Sequence, residues 1–413
     1  MNRILVASIF ASLAVGVLVG HTMLGPGDNT RAASTAARQG GHHGAAADGV
    51  DWTKVSSRDL DIAELFVIAR EAGARKALRR LEVLAARDTV IRDVGHTLAH
   101  GLGRFAVAQR EGDPAVYADC LEIFQAGCHH GVMEAYFASP RAASAEAVTP
   151  SSLDTLCRAI TRVGAARLVG LECAHGMGHG LLARYHGDVR SALGACDLLT
   201  RPDARRECHD GVFMENAIRG TASPDVRVGD DAVQAGDSAH QHELAPLVKR
   251  GDLAFPCSTM DERYRSACWT YQPIIIAEGA RGDVDVLVRT CDGAPAEFID
   301  ECYRGVGKQG SGWWENQERV AQLCERVFAA RLGACVAGAV ESYLDEMWTV
   351  DRAISFCGVV STSAKRGCYE VIGMRLALMR TDPTVVAQEC ARSEPAYVAA
   401  CINAAAAGAR TRG

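Results

Sequence analysis

The sequence predicts an all-α fold, a right-handed α-solenoid of about eight to nine helical hairpins of ~33 residues, each stapled by a local disulfide. Three observations predict it. Cysteines recur in evenly spaced pairs, helix-capping residues stand at a fixed distance before them, and the long helices align on shared columns of histidine and glycine.

The cysteines set the period. Ten residues separate Cys257 from Cys268, Cys291 from Cys302, Cys324 from Cys335, Cys357 from Cys368 and Cys390 from Cys401, and the first members of these pairs lie 34, 33, 33 and 33 residues apart. Cys196 with Cys208, Cys157 with Cys173 and Cys120 with Cys128 continue the series at looser spacing. Eight local pairs therefore use all 16 cysteines. No CxxC occurs, which argues against zinc ribbons, thioredoxin chemistry and c-type haem attachment.

The capping residues set the helices. Eight residues before the first cysteine of a pair stand Thr149, Asp188, Asp283, Asn316, Thr349 and Asp382, with Asp113 seven before Cys120. Side chains of this kind accept hydrogen bonds from the free N–H groups of a first helical turn. Pro114, Pro150 and Pro383 follow three of them, where proline suits a helix start. A short helix therefore runs from each cap to the first cysteine, and a longer helix carries the second.

The chain divides accordingly. Residues 1–24, with Arg3 before an apolar run from Ile4, read as a secretory signal or an N-terminal membrane anchor. A Gly/Ala-rich linker (25–50) and an N-terminal helical cap (51–95) follow. Histidine-rich repeats occupy 96–219 and cysteine-stapled repeats 248–413, with an inserted loop at 220–247. That loop is acidic, carries His240 and His242, and is a candidate lid. Export to the periplasm or exterior is expected, because disulfides persist there. If uncleaved, the first segment would attach the chain to a membrane. A net charge of -6 gives no reason to expect nucleic acid.

Aligned on the second cysteine, with Leu98 in its place in the first unit, the long helices show two histidine-bearing columns. Position +2 holds His100, His130, His175 and Asp210; position +6 holds Arg104, Glu134, His179 and Met214. Residues four apart share a helix face, and His96 extends that face by one turn. Glycine recurs at +3, as Gly101, Gly131, Gly176, Gly211, Gly305 and Gly338. Because glycine costs about 1 kcal/mol relative to alanine inside a helix, its repetition predicts close helix–helix approach. No histidine follows His242. The last repeats should therefore be dispensable for whatever the histidines do.

His96 with His100, and His175 with His179, are i,i+4 pairs, the spacing by which one helix offers two imidazoles to an ion. The expected ligands are His96, His100, His130, Glu134, His175, His179, Asp210 and Glu215. Such donors suit zinc, iron, copper or manganese. The expected function is a metal-binding protein outside the cytoplasm, with metal-dependent hydrolase or oxidoreductase as the candidate activity. The alternative is a non-enzymatic scaffold that binds a peptide, glycan or partner protein in a concave groove.

Overall fold

The computed structural model describes residues 56–161, 164–221, 245–249, 251–314, 316–326 and 331–410, and every regular element within them is a helix. The apolar run, the linker, and His240 and His242 of the expected lid lie outside these residues. No helix among the described residues is long and apolar enough to cross a membrane. Contacts divide the chain into a smaller unit, of which residues 56–67 are described, and a larger one (68–222 and 240–413) that holds the stapled hairpins and the histidine strip.

Helices α1 (Ser57–Ala72), α2 (Ala74–Ala85) and α3 (Thr89–Asp93) precede the first aligned long helix, α4 (Gly95–Ala108). The stapled hairpins follow. A 3₁₀ turn (Pro114–Asp119) joins α5 (Gly127–Ala138), then α6 (Pro150–Ile160) joins α7 (Arg167–Arg184), and α8 (Val189–Cys196) joins α9 (Pro202–Thr221). A second 3₁₀ turn (Cys257–Thr259) joins α10 (Glu262–Gly279). The series ends with α11 (Val284–Asp292) and α12 (Ile299–Trp313), α13 (Gln317–Glu325) and α14 (Leu332–Met347), α15 (Asp351–Val359) and α16 (Thr362–Met379), α17 (Pro383–Cys390) and α18 (Val398–Arg410).

All eight expected disulfides form, each tying a short element to the long helix after it. Cys120 bonds Cys128, Cys157 bonds Cys173, Cys196 bonds Cys208 and Cys257 bonds Cys268. In the later hairpins Cys291 bonds Cys302, Cys324 bonds Cys335, Cys357 bonds Cys368 and Cys390 bonds Cys401. Loops this short limit the entropic gain to about 3 kcal/mol per bridge. The caps also form: Asp113, Thr149, Asp188, Asp283, Asn316 and Asp382 each accept a backbone N–H of the first turn. Thr349 does not cap. There α15 starts at Asp351 with Val350 at the cap position, and the Thr349 hydroxyl bonds the Asp351 carboxylate instead.

Position +4 of each long helix forms the core. Leu102, Val132, Met177, Val212, Val306, Ala339 and Ile372 are fully buried, each of the larger ones worth about 1.5–3 kcal/mol. Glycine sets how close the helices come. A Cβ on Gly131 would overlap the carbonyl oxygen of His100, and one on Gly103 that of Cys128, so α4 and α5 meet backbone to backbone. Gly178 and Gly211 repeat the arrangement for α7 and α9.

A solenoid repeat touches only its neighbours; here two contacts reach further. Helix α16 packs on α7. The turn before α5 also bonds the end of α14: Phe124 N–H donates to the Glu346 carbonyl, Gln125 N–H to that of Asp345 (3.1 Å), and the Gln125 amide to Ser342 Oγ (3.2 Å). Phe124, Gln125 and Ala126 all have positive φ, between 52° and 56°, a conformation that costs of order 1 kcal/mol or more for each non-glycine residue.

Candidate metal centre

The +2 and +6 columns of α4, α5 and α7 form one buried strip. His130, on the middle helix, is its hub. Its ring centroid lies 5.8 Å from that of His96, 5.3 Å from His100, 4.9 Å from His175 and 5.2 Å from His179. All but His96 are buried, and His179 is wholly inaccessible.

Oxygen acceptors fix how these rings present their nitrogens. His96 Nδ1 donates to the Phe124 carbonyl (2.8 Å). His100 Nδ1 donates to Glu134 Oε1 (2.7 Å), while Arg104 holds the other oxygen of that carboxylate (2.6 Å). His130 Nε2 donates to Glu172 Oε2 (3.1 Å) and His179 Nδ1 to Glu215 Oε2 (2.9 Å). A nitrogen held by a carbonyl or carboxylate carries the proton, so the other nitrogen of each neutral ring keeps a lone pair. Two consequences follow. The Nε2 atoms of His96 and His100 face each other at 3.1 Å, lone pair against lone pair. His130 Nδ1 and His179 Nε2 are buried with no hydrogen-bond partner among the described residues, at a cost of about 1–3 kcal/mol each.

Three of the rings are held neutral by their surroundings. Burial, then the neighbouring His100, hold His96 down at about 3. Burial, then His175, lower His130; burial, then His179, lower His175. Burial would raise the Glu134 carboxyl, but His100 and Arg104 outweigh it and keep that group ionised.

These donors fit a transition-metal ion. His96, His100 and His130 bring ligand atoms within 4.8 Å of one another, as do His130, His175 and His179, and Glu134, His179 and Glu215. Two nitrogens bonded to one ion at 2.0–2.1 Å lie roughly 3.0–3.4 Å apart, so the separation of His96 from His100 is that of a chelating pair. Glu134 and Glu215 already accept ring N–H groups, the position of outer carboxylates that orient ligand histidines.

Asp210, expected among the ligands, stands apart from these groups. Burial raises its carboxyl to about 6, opposed by the charges of Lys308 and Arg304. His129 and His209, one residue from the strip, turn away: His129 packs on Tyr117, and His209 bonds Asp197 (3.0 Å).

Sequence reasoning missed Glu172. It lies three residues before His175, one turn earlier on the same face, and that periodicity was the available signal. Beyond it the strip becomes ionic. Arg375 of α16 binds Asp345 with two bonds (2.8 and 2.5 Å) and lies 3.6 Å from Glu172. Arg304 pairs with Glu341, and Lys308 reaches the Tyr271 hydroxyl (3.3 Å). Burial, then Asp345, raise Glu172 to about 7; burial, then Asp210, raise Glu207 to about 8. The histidine-free repeats thus reach the histidine strip, through Arg375.

On the opposite side, a cavity of about 550 Å³ opens against His96. Arg92, Phe124, Ser342, Glu346 and Arg352 are among its walls.

No protein-family model, curated protein or solved structure matches this chain, so its function is argued from the geometry of the strip.

Proposed function

We propose that this chain is an extracytoplasmic metal-binding protein whose ion is held by neutral imidazoles drawn from His96, His100, His130, His175 and His179. Glu134, Glu172 and Glu215 orient the rings from outside. The observation that carries this reading is the pairing of His96 with His100. Both Nδ1 atoms are committed to oxygen acceptors, so the two Nε2 lone pairs at 3.1 Å need a cation between them. Burial disfavours a proton in that role, because it disfavours imidazolium. Imidazole-rich sets suit zinc, copper, iron and nickel better than manganese.

The cavity beside His96 gives a bound ion contact with small molecules, which supports a metal-dependent hydrolase or oxidoreductase. The eight disulfides fit an oxidising compartment outside the cytoplasm, and the apolar N-terminal run is read as the export signal or membrane anchor that leads there. A scaffold that binds a peptide or partner protein is the second reading, favoured by the same cavity.

Elemental analysis of protein purified without chelators tests the proposal. Stoichiometric transition metal is expected in the wild type and in a His186→Ala control. Replacing His96 and His100 together, or His175 and His179 together, by alanine should lower the bound metal while keeping the helical content. A wild type that neither carries nor takes up an ion overturns the metal reading and leaves the scaffold.

A further inference from the structure

This inference rests on the metal reading and names an ion for the half of the strip around His130, His175 and His179. Among the imidazoles lies a donor of another kind. Met214, on α9, places its Sδ 3.4 Å from His175 Nε2 on α7. It stands in the +6 column, where α5 has Glu134. The next residue, Glu215, holds His179 Nδ1. Two consecutive residues of α9 therefore engage two histidines one turn apart on α7. The partners they offer differ in kind: a carboxylate fixes His179, whereas His175 Nε2 meets only a thioether, one of the weakest hydrogen-bond acceptors.

The separation is that of two ligands on one ion. A nitrogen at about 2.0 Å and a sulfur at about 2.3 Å from a common centre, 3.4 Å apart, subtend an angle near the tetrahedral value. His130 and His179 each offer a buried nitrogen without a hydrogen-bond partner beside that edge. Their rings are held for the purpose by Glu172 and Glu215.

We propose that His130, His175, His179 and Met214 form a copper site, with the Met214 thioether as its sulfur ligand. A soft thioether beside imidazoles selects copper, Cu(I) above all, whereas zinc gains little from it and manganese nothing.

Competition of the full-length protein against a chromogenic Cu(I) chelator and, separately, a Zn(II) indicator tests this. Met214→Leu preserves volume and should fold. It is expected to weaken Cu(I) binding by about ten- to a hundredfold, an effect at least that of losing an orienting partner, and to leave Zn(II) binding within about twofold. X-ray absorption of the copper-loaded wild type should show one sulfur neighbour, lost in the variant. Unchanged Cu(I) affinity, or an equal loss for both ions, overturns the assignment of copper while leaving the metal centre standing. Failure of the wild type to bind either ion overturns the metal centre itself.

Discussion

Helices α4 and α5 cross as α12 and α14 do. In the first pair the Gly103 and Gly131 faces lie on the carbonyls of Cys128 and His100; in the second, Gly307 and Gly338 lie on those of Cys335 and Arg304. The side chains beside the crossings share a glutamate at +6 of the second helix and otherwise differ. The first pair presents His100, Arg104, His130 and Glu134; the second presents Arg304, Lys308 and Glu341 in the same columns. The later helices satisfy one another, with cation against carboxylate. The earlier ones keep one such pair, Arg104 with Glu134, and with α7 pool imidazole nitrogens, two of which lack any hydrogen-bond partner among the described residues. A glycine at the crossing fixes helix separation and leaves the neighbouring columns free to carry either chemistry.

The largest expected effect lies in the ionic half. Arg375→Met leaves Asp345, almost wholly buried, without its two-bond partner. A loss of about 3–5 kcal/mol is expected by urea denaturation, much of it recovered by adding Asp345→Asn. The equivalent change in the histidine strip should cost far less. His179→Leu in metal-free protein removes a ring with one nitrogen that has no hydrogen-bond partner among the described residues, and a shift below about 1 kcal/mol is expected. Equal losses in the two halves would erase the contrast between them.

The crossings should respond alike. Gly131→Ala and Gly338→Ala each drive a methyl into a backbone carbonyl, with an expected loss of about 1–3 kcal/mol or more. Gly194→Ala, on α8 with open space around it, should instead gain up to about 1 kcal/mol. Chemical denaturation of the three variants side by side measures this.

The pH dependence separates the halves by sign. His96, His130 and His175 resist protonation when folded, so the unfolded chain binds more protons below about pH 6.5 and metal-free stability falls with acidification. Glu172 and Glu207 titrate near 7 and 8 rather than 4.5. There the folded state holds the extra proton, so stability falls as pH rises from about 4.5 to 8. In the overlap the three histidines outweigh the two glutamates, so thermal melts of metal-free protein should peak near pH 6.5, where the histidine contribution ends. Glu207→Gln should flatten the alkaline limb and spare the acid one; a profile unchanged by that substitution would refute the Glu207 assignment.

The smallest effect concerns the caps. Asp188→Ala removes two bonds to the first turn of α8 and should cost about 1 kcal/mol. Thr349→Ala, whose hydroxyl caps nothing, should cost a few tenths at most by the same melts.

Much of this was written in local pattern. The pairing of Cys291 with Cys302 and the cap at Asp283 both follow from spacing along one hairpin, because a helix converts sequence distance into position. The same rule put His100, His130, His175 and His179 on one strip, since neighbouring hairpins repeat the register. It could not say which nitrogen of each ring is free. That depends on Glu172, Glu134, Glu215 and the Phe124 carbonyl, each brought in by a different helix or turn.

The sequence by itself determined the hairpins, their staples and the column in which histidines meet, because these rest on interactions within about 33 residues. The tertiary structure decided the rest. It left Asp210 out of the histidine groups, brought Met214 against His175, and carried Arg375 of α16 to Glu172. It also fixed the Phe124–Ala126 turn against α14, and with it the carbonyl that orients His96. These contacts join residues 28 to 222 positions apart, where helical period carries no information and only the packing of one repeat on another sets the distance.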